Sequence, residues 1–219
     1  MALVMKACIF DLDGTLGDTR ESLVYSVGRT LKEMGLPGIT REECIRFVGN
    51  GARCLMERAL EASGAGNEVR IEEGMEVYGR IFDEFCTYQV VVYEGIGELL
   101  GRLKEKGLLL AVLSNKPHRQ TLKVVRAMYG EDVFSYVQGQ RDEIPRKPDP
   151  AGIRCALKEL GVRAKDCLYI GDSEVDVRTG RNAGLKTICV SWGFRTKEEL
   201  KAAGAEYIID RAEELLQYV

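Results

Sequence analysis

Four short polar clusters in this 219-residue chain contain the residue types that phosphate chemistry needs. They are Asp11 to Thr15, Ser114-Asn115, Lys147 and Asp172. Carboxylates packed together repel one another unless a cation neutralises them, and their hard oxygen atoms are ligands that Mg²⁺ prefers. A carboxylate can also attack phosphorus, while a lysine, a hydroxyl group and Mg²⁺ stabilise the negative charge on the phosphoryl oxygens. The four clusters together predict phosphoryl transfer.

Three of these clusters directly follow predicted strands. Short apolar runs predict buried strands over 3–10, 108–113 and 167–170, each ending just before one of the clusters. Lys147 lies in a loop before a helix predicted over 150–160. Because ligands of a parallel sheet bind beyond the carboxyl ends of its strands, we expect the clusters to meet at one edge of the sheet.

The second half of the chain alternates between strand and helix patterns. Further helices are predicted over 96–106, over 117–129, from Glu174 and from Thr196, and further strands over 186–190 and 207–209. Pro117 is placed as the first residue of its helix, a position that tolerates proline. Strands alternating with helices of about ten residues predict βαβ units and a parallel sheet.

A helical stretch interrupts this alternation. Leu23, Val27 and Leu31 recur at roughly helical spacing, and 40–43 has the spacing of a capping box. A second long helix is predicted over 68–88.

The predicted fold class is α/β, a doubly wound, Rossmann-like parallel sheet with an inserted α-helical cap. Residues 1–16 and 93–219 form the predicted core, and residues 17–92 form the predicted cap.

Composition and charge argue against several classes of protein. Hydrophobic residues make up 45% of the chain and charged residues 30%, which is typical of a globular domain and excludes disordered and collagen-like chains. The net charge of −3 gives no support for nucleic-acid binding, and the longest apolar run is too short to span a membrane. The first residues favour a strand over a secretion signal. We therefore expect a cytoplasmic protein with a small-molecule partner, no nucleic-acid or membrane partner, and a monomeric or homodimeric state.

The cysteines and the single histidine limit which disulfide, acid–base and metal-binding chemistry the chain can support. Seven scattered cysteines without a CxxC pair predict reduced thiols rather than a disulfide framework. His118 is the only histidine, so acid–base chemistry and metal binding must rest mainly on carboxylates. His118 lies near Ser114 and could be a base, but we expect it at an exposed position in the first turn of a helix.

Four motifs resemble those of one known family. FDLDGT at 10–15, LSNK at 113–116, RKPD at 146–149 and GDSEVD at 171–176 resemble, in this order, the motifs of the haloacid-dehalogenase superfamily of phosphatases. The resemblance covers essentially the whole chain, including the helical cap after the first motif. It implies a phosphoric monoester hydrolase that forms an aspartyl-phosphate.

The resemblance also implies roles for individual residues. Asp11 corresponds to the nucleophile, and Asp13 to the general acid/base that protonates the leaving alcohol and then activates water. Ser114, with the neighbouring Asn115, corresponds to the group that binds the transferring phosphoryl. Lys147 corresponds to the lysine that pairs with nucleophile and phosphate.

The same resemblance implies a Mg²⁺ cofactor. Its expected ligands are the carboxylates of Asp11 and Asp172 and the backbone carbonyl of Asp13. Asp176 is expected to orient these ligands from behind, and Thr15 is expected at the substrate.

The cap suggests the substrate. The segment 47–51, running into 55–60, resembles the cap loop and helix of bacterial phosphoglycolate phosphatases, and 191–193 also fits that group. This resemblance implies hydrolysis of 2-phosphoglycolate to glycolate and phosphate, with Asn50 as a candidate substrate contact. Gly17 and the proline-free segment 91–95 depart from the group's pattern and leave cap closure less defined.

Other interpretations of the same residues stay open. A pyrophosphatase, a nucleotide phosphatase, a sugar-phosphate mutase of the same fold and a non-catalytic phosphate-binding protein all fit parts of the pattern. Asp172 could instead cap a helix, Asp176 could complement a helix dipole, and Arg46 could be a solvated surface charge. Whether Arg53 contacts the substrate also stays open.

Overall fold

The computed structural model describes residues 5–219, so the part of the predicted first strand before Met5 lies outside the described residues. The strands are β1 (Ala7–Phe10), β2 (Gly17–Asp18), β3 (Val91–Val92), β4 (Leu109–Pro117), β5 (Tyr136–Gln140), β6 (Cys167–Gly171), β7 (Lys186–Val190) and β8 (Tyr207–Ile209). The α-helices are α1 (Arg20–Glu33), α2 (Arg41–Phe47), α3 (Ala52–Ala62), α4 (Glu68–Phe85), α5 (Ile96–Glu105), α6 (His118–Tyr129), α7 (Ala151–Leu160), α8 (Glu174–Ala183) and α9 (Lys197–Ala202), and two 3₁₀ helices cover Ala164–Asp166 and Ala212–Tyr218.

Six strands form one parallel sheet in the order β5-β4-β1-β6-β7-β8. β1 is central: Phe10 pairs with Val112 of β4 on one side and with Ile170 of β6 on the other. Because these three strands run in register, their carboxyl ends lie next to one another. The predicted α/β fold with a parallel sheet is confirmed.

Helices cover both faces of this sheet. Cys8 and Phe10 of β1 belong to an apolar cluster that includes α5 and α6, whereas Ala7 and Ile9 belong to a cluster that includes α7. This alternation follows from the period of two along a strand and explains why β1 is apolar at every position.

The helices α1 to α4 lie between β1 and β4 in the chain. Leu23, Val27 and Leu31 are buried, as their spacing predicts, and Thr40 forms the predicted capping box with Glu43. These buried side chains belong to the same apolar cluster as Phe10, so the core of the helical segment is continuous with one face of the sheet.

A two-stranded antiparallel ribbon joins this helical segment to the sheet. Gly17 pairs with Val92 and Asp18 with Val91, so the chain leaves and returns at one place. The boundaries at 16/17 and 92/93 stay a prediction, and both lie beside this ribbon.

Several strands differ from the sequence-based expectation, among them the short strands β2 and β3, which were not predicted. β4 continues to Pro117, so Ser114 and Asn115 lie within an irregular end of the strand, and Pro117 precedes α6 instead of opening it. The register against β5 shifts between Leu113 and Pro117, since proline has no N–H for a regular ladder.

β5 was not predicted, because its sequence YVQGQ contains polar residues and a glycine. A Cβ at Gly139 would lie 2.6 Å from the backbone oxygen of Lys116, so this close approach excludes a side chain there.

Other ends shift slightly, and α4 ends at Phe85, three residues before the predicted limit. All seven cysteines are free thiols, as predicted. Within residues 5–219, no helix has the length and apolar character that crossing a membrane requires.

Candidate active site

The carboxyl edge of the sheet forms a pocket that contains most of the predicted site. Asp11 and Asp13 follow β1, Ser114 and Asn115 lie at the end of β4, and Lys147 and Asp172 reach the pocket from the loops before α7 and after β6. Residues from four distant parts of the sequence therefore meet at one edge.

Lys147 is held between two carboxylates. Its Nζ atom lies 2.9 Å from Oδ1 of Asp11, 2.9 Å from Oδ1 of Asp176 and 3.2 Å from the hydroxyl oxygen of Tyr169. Burial opposes a charged lysine, but Asp11 and Asp176 outweigh burial and raise the pKa of Lys147 above its ordinary value. Lys147 is therefore a permanently charged group beside Asp11.

Asn115 fixes the backbone of this lysine. Its Oδ1 atom accepts a hydrogen bond from the Lys147 N–H at 2.9 Å, and its Nδ2 atom donates to the Lys147 carbonyl at 3.0 Å. The same amide donates to the carbonyl of Gly49 in the helical segment at 3.0 Å. Both amide hydrogens of Asn115 are thus in use, and they link three separate loops.

Asp176 lies behind the pocket and is fully buried. Ser173 and Asp176 form a capping box at the start of α8, so Ser173, and not Asp172, is the helix cap. Tyr169 donates to Oδ1 of Asp176 at 2.6 Å, and Ser173 Oγ donates to Oδ2 at 2.6 Å. Burial opposes the charge of Asp176, but Lys147 and the hydrogen bonds from Ser173, Tyr169 and Lys147 hold its pKa below the usual value.

Asp172 is positioned by two neighbouring segments, 14–15 and 193–194. Thr15 Oγ1 donates to its Oδ1 atom at 3.1 Å, and the Phe194 N–H donates to its Oδ2 atom at 2.7 Å. A Cβ at Gly14 would lie 2.2 Å from Oδ2 of Asp172, and one at Gly193 would lie 2.3 Å from its Cβ. Thr15 is fully buried and contacts Asp172, not the pocket.

The buried carboxylates match a binding site for a divalent cation. Oxygen atoms of Asp11, Asp172 and Asp176 lie within 4.8 Å of one another, with Lys147 as the neighbouring cation. Burial, together with the charges of the other aspartates, raises the pKa of both Asp11 and Asp172. Asp11 and Asp172 line the pocket, whereas Asp176 lies behind it and pairs with Lys147. The donor set therefore fits Mg²⁺ held by Asp11 and Asp172.

Asp13 has a partner that the sequence did not reveal as functional. Lys116 Nζ lies 2.6 Å from Oδ1 of Asp13, and Thr19 Oγ1 donates to the same oxygen at 2.6 Å. The Lys116 side chain is 1% exposed and lies against the ring of Phe82. Lys116 belongs to the LSNK motif, two residues after Ser114, and its place in that motif is the signal that could have found it.

Other candidate residues lie outside the pocket. The backbone carbonyl of Asn50 accepts a hydrogen bond from Arg146 at 3.1 Å, and the pocket wall here consists of Gly49 and Gly51. Arg46 is exposed in the last turn of α2. Arg53 binds three glutamates of the helical segment, Glu57, Glu68 and Glu72.

His118 differs from the expectation of an exposed residue. It is the first residue of α6, but it is half-buried, and its Nδ1 atom accepts a hydrogen bond from the Gly139 N–H at 3.1 Å. Its Nε2 atom lies 2.6 Å from the guanidinium of Arg141. The close packing of α6 against β5 buries one side of the imidazole, and His118 is not part of the pocket wall.

Comparison with known proteins identifies the family. A family model described as Haloacid dehalogenase-like hydrolase matches residues 8–190. The chain belongs to this family. The expected enzyme class, a phosphoric monoester hydrolase similar to phosphoglycolate phosphatases, agrees with the relatives and is confirmed at that level.

Two curated relatives of this haloacid dehalogenase-like hydrolase carry the name phosphoglycolate phosphatase. The protein from Colwellia psychrerythraea is 30% identical over 96% of this chain and 95% of its own length. The protein from Pseudomonas savastanoi pv. phaseolicola is 33% identical over 96% of this chain and 78% of its own length.

A solved structure has the same fold. The crystal structure of CbbY from Rhodobacter sphaeroides in complex with phosphate is 26% identical, covers 97% of this chain and 96% of the other, and has a TM-score of 0.82.

Proposed function

We propose that this hydrolase uses Mg²⁺ and an aspartyl-phosphate intermediate to hydrolyse a small phosphomonoester, with 2-phosphoglycolate as its substrate. The arrangement of Asp11 carries the proposal. Asp11 lines the pocket, its Oδ1 atom is held by Lys147 and the Leu12 N–H, and its Oδ2 atom accepts no hydrogen bond from residues 5–219. A carboxylate oxygen fixed in position but otherwise free is suited to nucleophilic attack.

In the first half-reaction, the free oxygen of Asp11 forms a bond to phosphorus while the bond from phosphorus to the leaving oxygen breaks. Asp13 gives its proton to that leaving oxygen. Lys116 and Thr19 both bind Oδ1 of Asp13, so Oδ2 is the atom that carries the proton.

In the second half-reaction, Asp13 takes a proton from a water molecule. The water oxygen then forms a bond to phosphorus, and the bond between phosphorus and Asp11 breaks. Inorganic phosphate leaves, and Asp11 returns to its carboxylate form.

Two groups assist at the phosphate, and a third holds one of them in place. Lys147 supplies positive charge beside Asp11, and Ser114 supplies a hydroxyl group at the end of β4. Asn115 has no amide hydrogen to spare, so it contributes by holding the loop of Lys147 in place.

The carboxylates of Asp11 and Asp172 would hold the cofactor, with the backbone carbonyl of Asp13 as a further ligand. When bound, Mg²⁺ neutralises these carboxylates and polarises the phosphoryl group. Thr15, Phe194 and Asp176 keep the two carboxylates and Lys147 oriented.

The choice of substrate rests on the relatives and on the pocket. Both curated relatives bear the name phosphoglycolate phosphatase, and the CbbY structure holds phosphate. Apolar side chains from the helical segment, including Leu23 and Leu55, lie over the pocket and favour a small leaving group.

A phosphomonoester panel tests the proposal. Purified protein with Mg²⁺ is assayed against 2-phosphoglycolate, pyrophosphate, nucleotides and hexose phosphates, and kcat/KM is compared. We expect the highest value for 2-phosphoglycolate and its loss when the metal is chelated. A higher value for pyrophosphate or nucleotides contradicts the substrate, and an isomerised hexose phosphate without free phosphate indicates a mutase.

Substitution of the nucleophile tests the intermediate. Asp11→Asn is expected to reduce kcat by at least about 10³-fold, because a neutral amide is a poor nucleophile. Asp142→Asn changes an exposed loop carboxylate in the same way and serves as the matched control. Activity in Asp11→Asn close to that of the control contradicts the covalent mechanism.

A further inference from the structure

The helical segment contributes a pocket wall that is apolar at all but one side chain. The residues of α1 to α4 and their loops that line the pocket are Leu23, Val48, Gly49, Gly51, Ala52, Leu55, Tyr78 and Phe82. Only Tyr78 among them has a polar side-chain atom. A polar group on a leaving alcohol therefore finds a single side-chain partner on this wall.

The hydroxyl group of Tyr78 is free to act as that partner. Tyr78 is 2% exposed, and within residues 5–219 its hydroxyl makes no hydrogen bond. Among these residues, Tyr93 carries the one side-chain polar atom that is both sealed from solvent and unpartnered, so the Tyr78 hydroxyl is not sealed. Tyr78 lines the pocket. Buried tyrosine hydroxyls normally have a partner, which indicates that a ligand supplies it here.

The ring of Tyr78 packs against a second aromatic ring. It stacks on Phe82 of the same helix with ring centroids 5.0 Å apart and an angle of 18°. The Phe82 ring in turn lies 5.0 Å from Nζ of Lys116. The aromatic pair thus extends from the apolar wall to the cation beside Asp13.

Lys116 has donor capacity left for a ligand. An ammonium group has three N–H donors. Within residues 5–219, the Nζ atom of Lys116 donates to one acceptor, Oδ1 of Asp13. The two other cations of the pocket each bind two or more groups of the protein. Lys147 binds Asp11, Asp176 and Tyr169. Arg195 binds Glu174 at 3.0 Å and the carbonyl of Val48 at 2.8 Å.

Arginines of the helical segment do not supply an alternative. Arg53 is bound by glutamates, and Arg58 donates to the carbonyl of Phe47 at 3.1 Å. Neither lines the pocket.

We propose that the Tyr78 hydroxyl and the Lys116 ammonium group bind a carboxylate on the leaving group, and that Tyr78 determines specificity for it. The inference rests on the proposed function and deepens it. Lys116 contacts Asp13, which protonates the ester oxygen, so the bound carboxylate lies within a few bonds of that oxygen. The preferred substrates are phosphomonoesters of short hydroxy acids.

Tyr78→Phe tests this specificity because it removes one oxygen and leaves the stacked ring. The measurement is kcat/KM with Mg²⁺ for 2-phosphoglycolate divided by kcat/KM for propyl phosphate, which has similar size and no carboxylate. We expect this ratio to be high in the unchanged protein and to fall roughly 10- to 100-fold in Tyr78→Phe, the usual effect of removing a hydrogen bond to a charged group. Both values come from one preparation, so a partly folded sample does not alter the ratio.

Tyr88→Phe is the matched control. Tyr88 is also an aromatic residue of the helical segment, stacked on Tyr25 with centroids 4.5 Å apart, and it lies outside the pocket. Its substitution is expected to leave the ratio within about twofold of the unchanged protein.

A binding measurement separates this inference from the proposed function. In the Asp11→Asn background, calorimetry gives Kd for 2-phosphoglycolate and for propyl phosphate with and without Tyr78→Phe. We expect weaker binding of 2-phosphoglycolate only. If the protein hydrolyses neither ester, the proposed function fails, and these Kd values still decide the inference. A ratio unchanged by Tyr78→Phe, in kcat/KM or in Kd, overturns the role of Tyr78.

Discussion

The ammonium group of Lys147 lies 2.9 Å from Oδ1 of Asp176, and the two side chains are only 3% and 0% exposed. Burying such a pair is costly unless every remaining donor and acceptor is satisfied. Here Tyr169 and Ser173 donate hydrogen bonds to Asp176. Asp11 and Tyr169 are the other two partners of the Lys147 ammonium group. Asp176 therefore acts from behind the pocket by fixing the cation that faces the nucleophile.

Asp176→Asn is expected to lower both stability and activity. The substitution leaves Lys147 with one carboxylate partner in a buried site, so the free energy of unfolding should fall by about 2–4 kcal/mol. Urea denaturation measures this change, and kcat/KM should fall because Lys147 loses its position beside Asp11. Asp142→Asn, in an exposed loop, is the control. Equal stability of the two variants contradicts the structural role of the pair.

Gly14→Ala is expected to displace Asp172. Gly14 has φ of +84°, and a Cβ there would lie 2.2 Å from Oδ2 of Asp172. We expect a loss of about 1–3 kcal/mol in unfolding free energy and a weaker response of activity to Mg²⁺. Titration of activity with Mg²⁺ checks the second effect.

Gly97→Ala is the control for Gly14→Ala, and its expected effect on stability has the opposite sign. Gly97 lies in α5, and a Cβ there would point into open space, so alanine should stabilise the protein by about 0.5–1 kcal/mol. Similar losses in both variants would show that the contact with Asp172 is not responsible.

The stability of the protein is expected to fall as acid protonates its single histidine. Burial, with the charge of Arg141, lowers the pKa of His118 below its ordinary value of 6.5. The unfolded chain therefore binds a proton at a higher pH than the folded chain, and stability declines as pH falls through 6.5 toward the lower folded value. Unfolding free energies of the unchanged protein and His118→Gln, compared between pH 8 and pH 5, measure this contribution. The His118→Gln variant should lose less stability over this range, and identical losses contradict the prediction.

Thiol reactivity should divide the cysteines into two groups. Cys54 and Cys155 are half-buried, whereas the other five are buried. Burial raises the pKa of Cys44 to about 12 and that of Cys167 to about 12, so these thiols are both inaccessible and protonated. Alkylation of native protein followed by peptide mass spectrometry should modify Cys54 and Cys155 first. Early modification of Cys44 would show that the helical segment opens.

Much of the fold could be predicted from local patterns. The strands β7 and β8 have the predicted bounds, and the capping box at Thr40 forms as its spacing indicates. β5 could not be predicted, because its polar residues and its glycine are not typical of a buried strand. The glycine is explained only in the tertiary structure, where the backbone of Lys116 lies too close to Gly139 for a side chain.

Part of the candidate site could likewise be predicted from the sequence, and part could not. Asp11, Asp13 and Asp172 each follow an apolar strand or lie at a predicted strand end, and parallel topology alone brings such positions to one edge. Asn50 is adjacent to the wall in sequence, but Gly49 and Gly51 form the wall itself.

The sequence by itself determined the alternation of strands and helices in the core apart from β5, the four motifs and their meeting at one edge, because these depend on apolar periodicity and parallel connections. Only the tertiary structure decided which side chains touch. Lys116 and Asp13 are 103 residues apart in the chain, and the facing of Tyr78 into the pocket depends on how α4 packs against the other helices. Such contacts arise from packing between distant segments, so no local spacing encodes them.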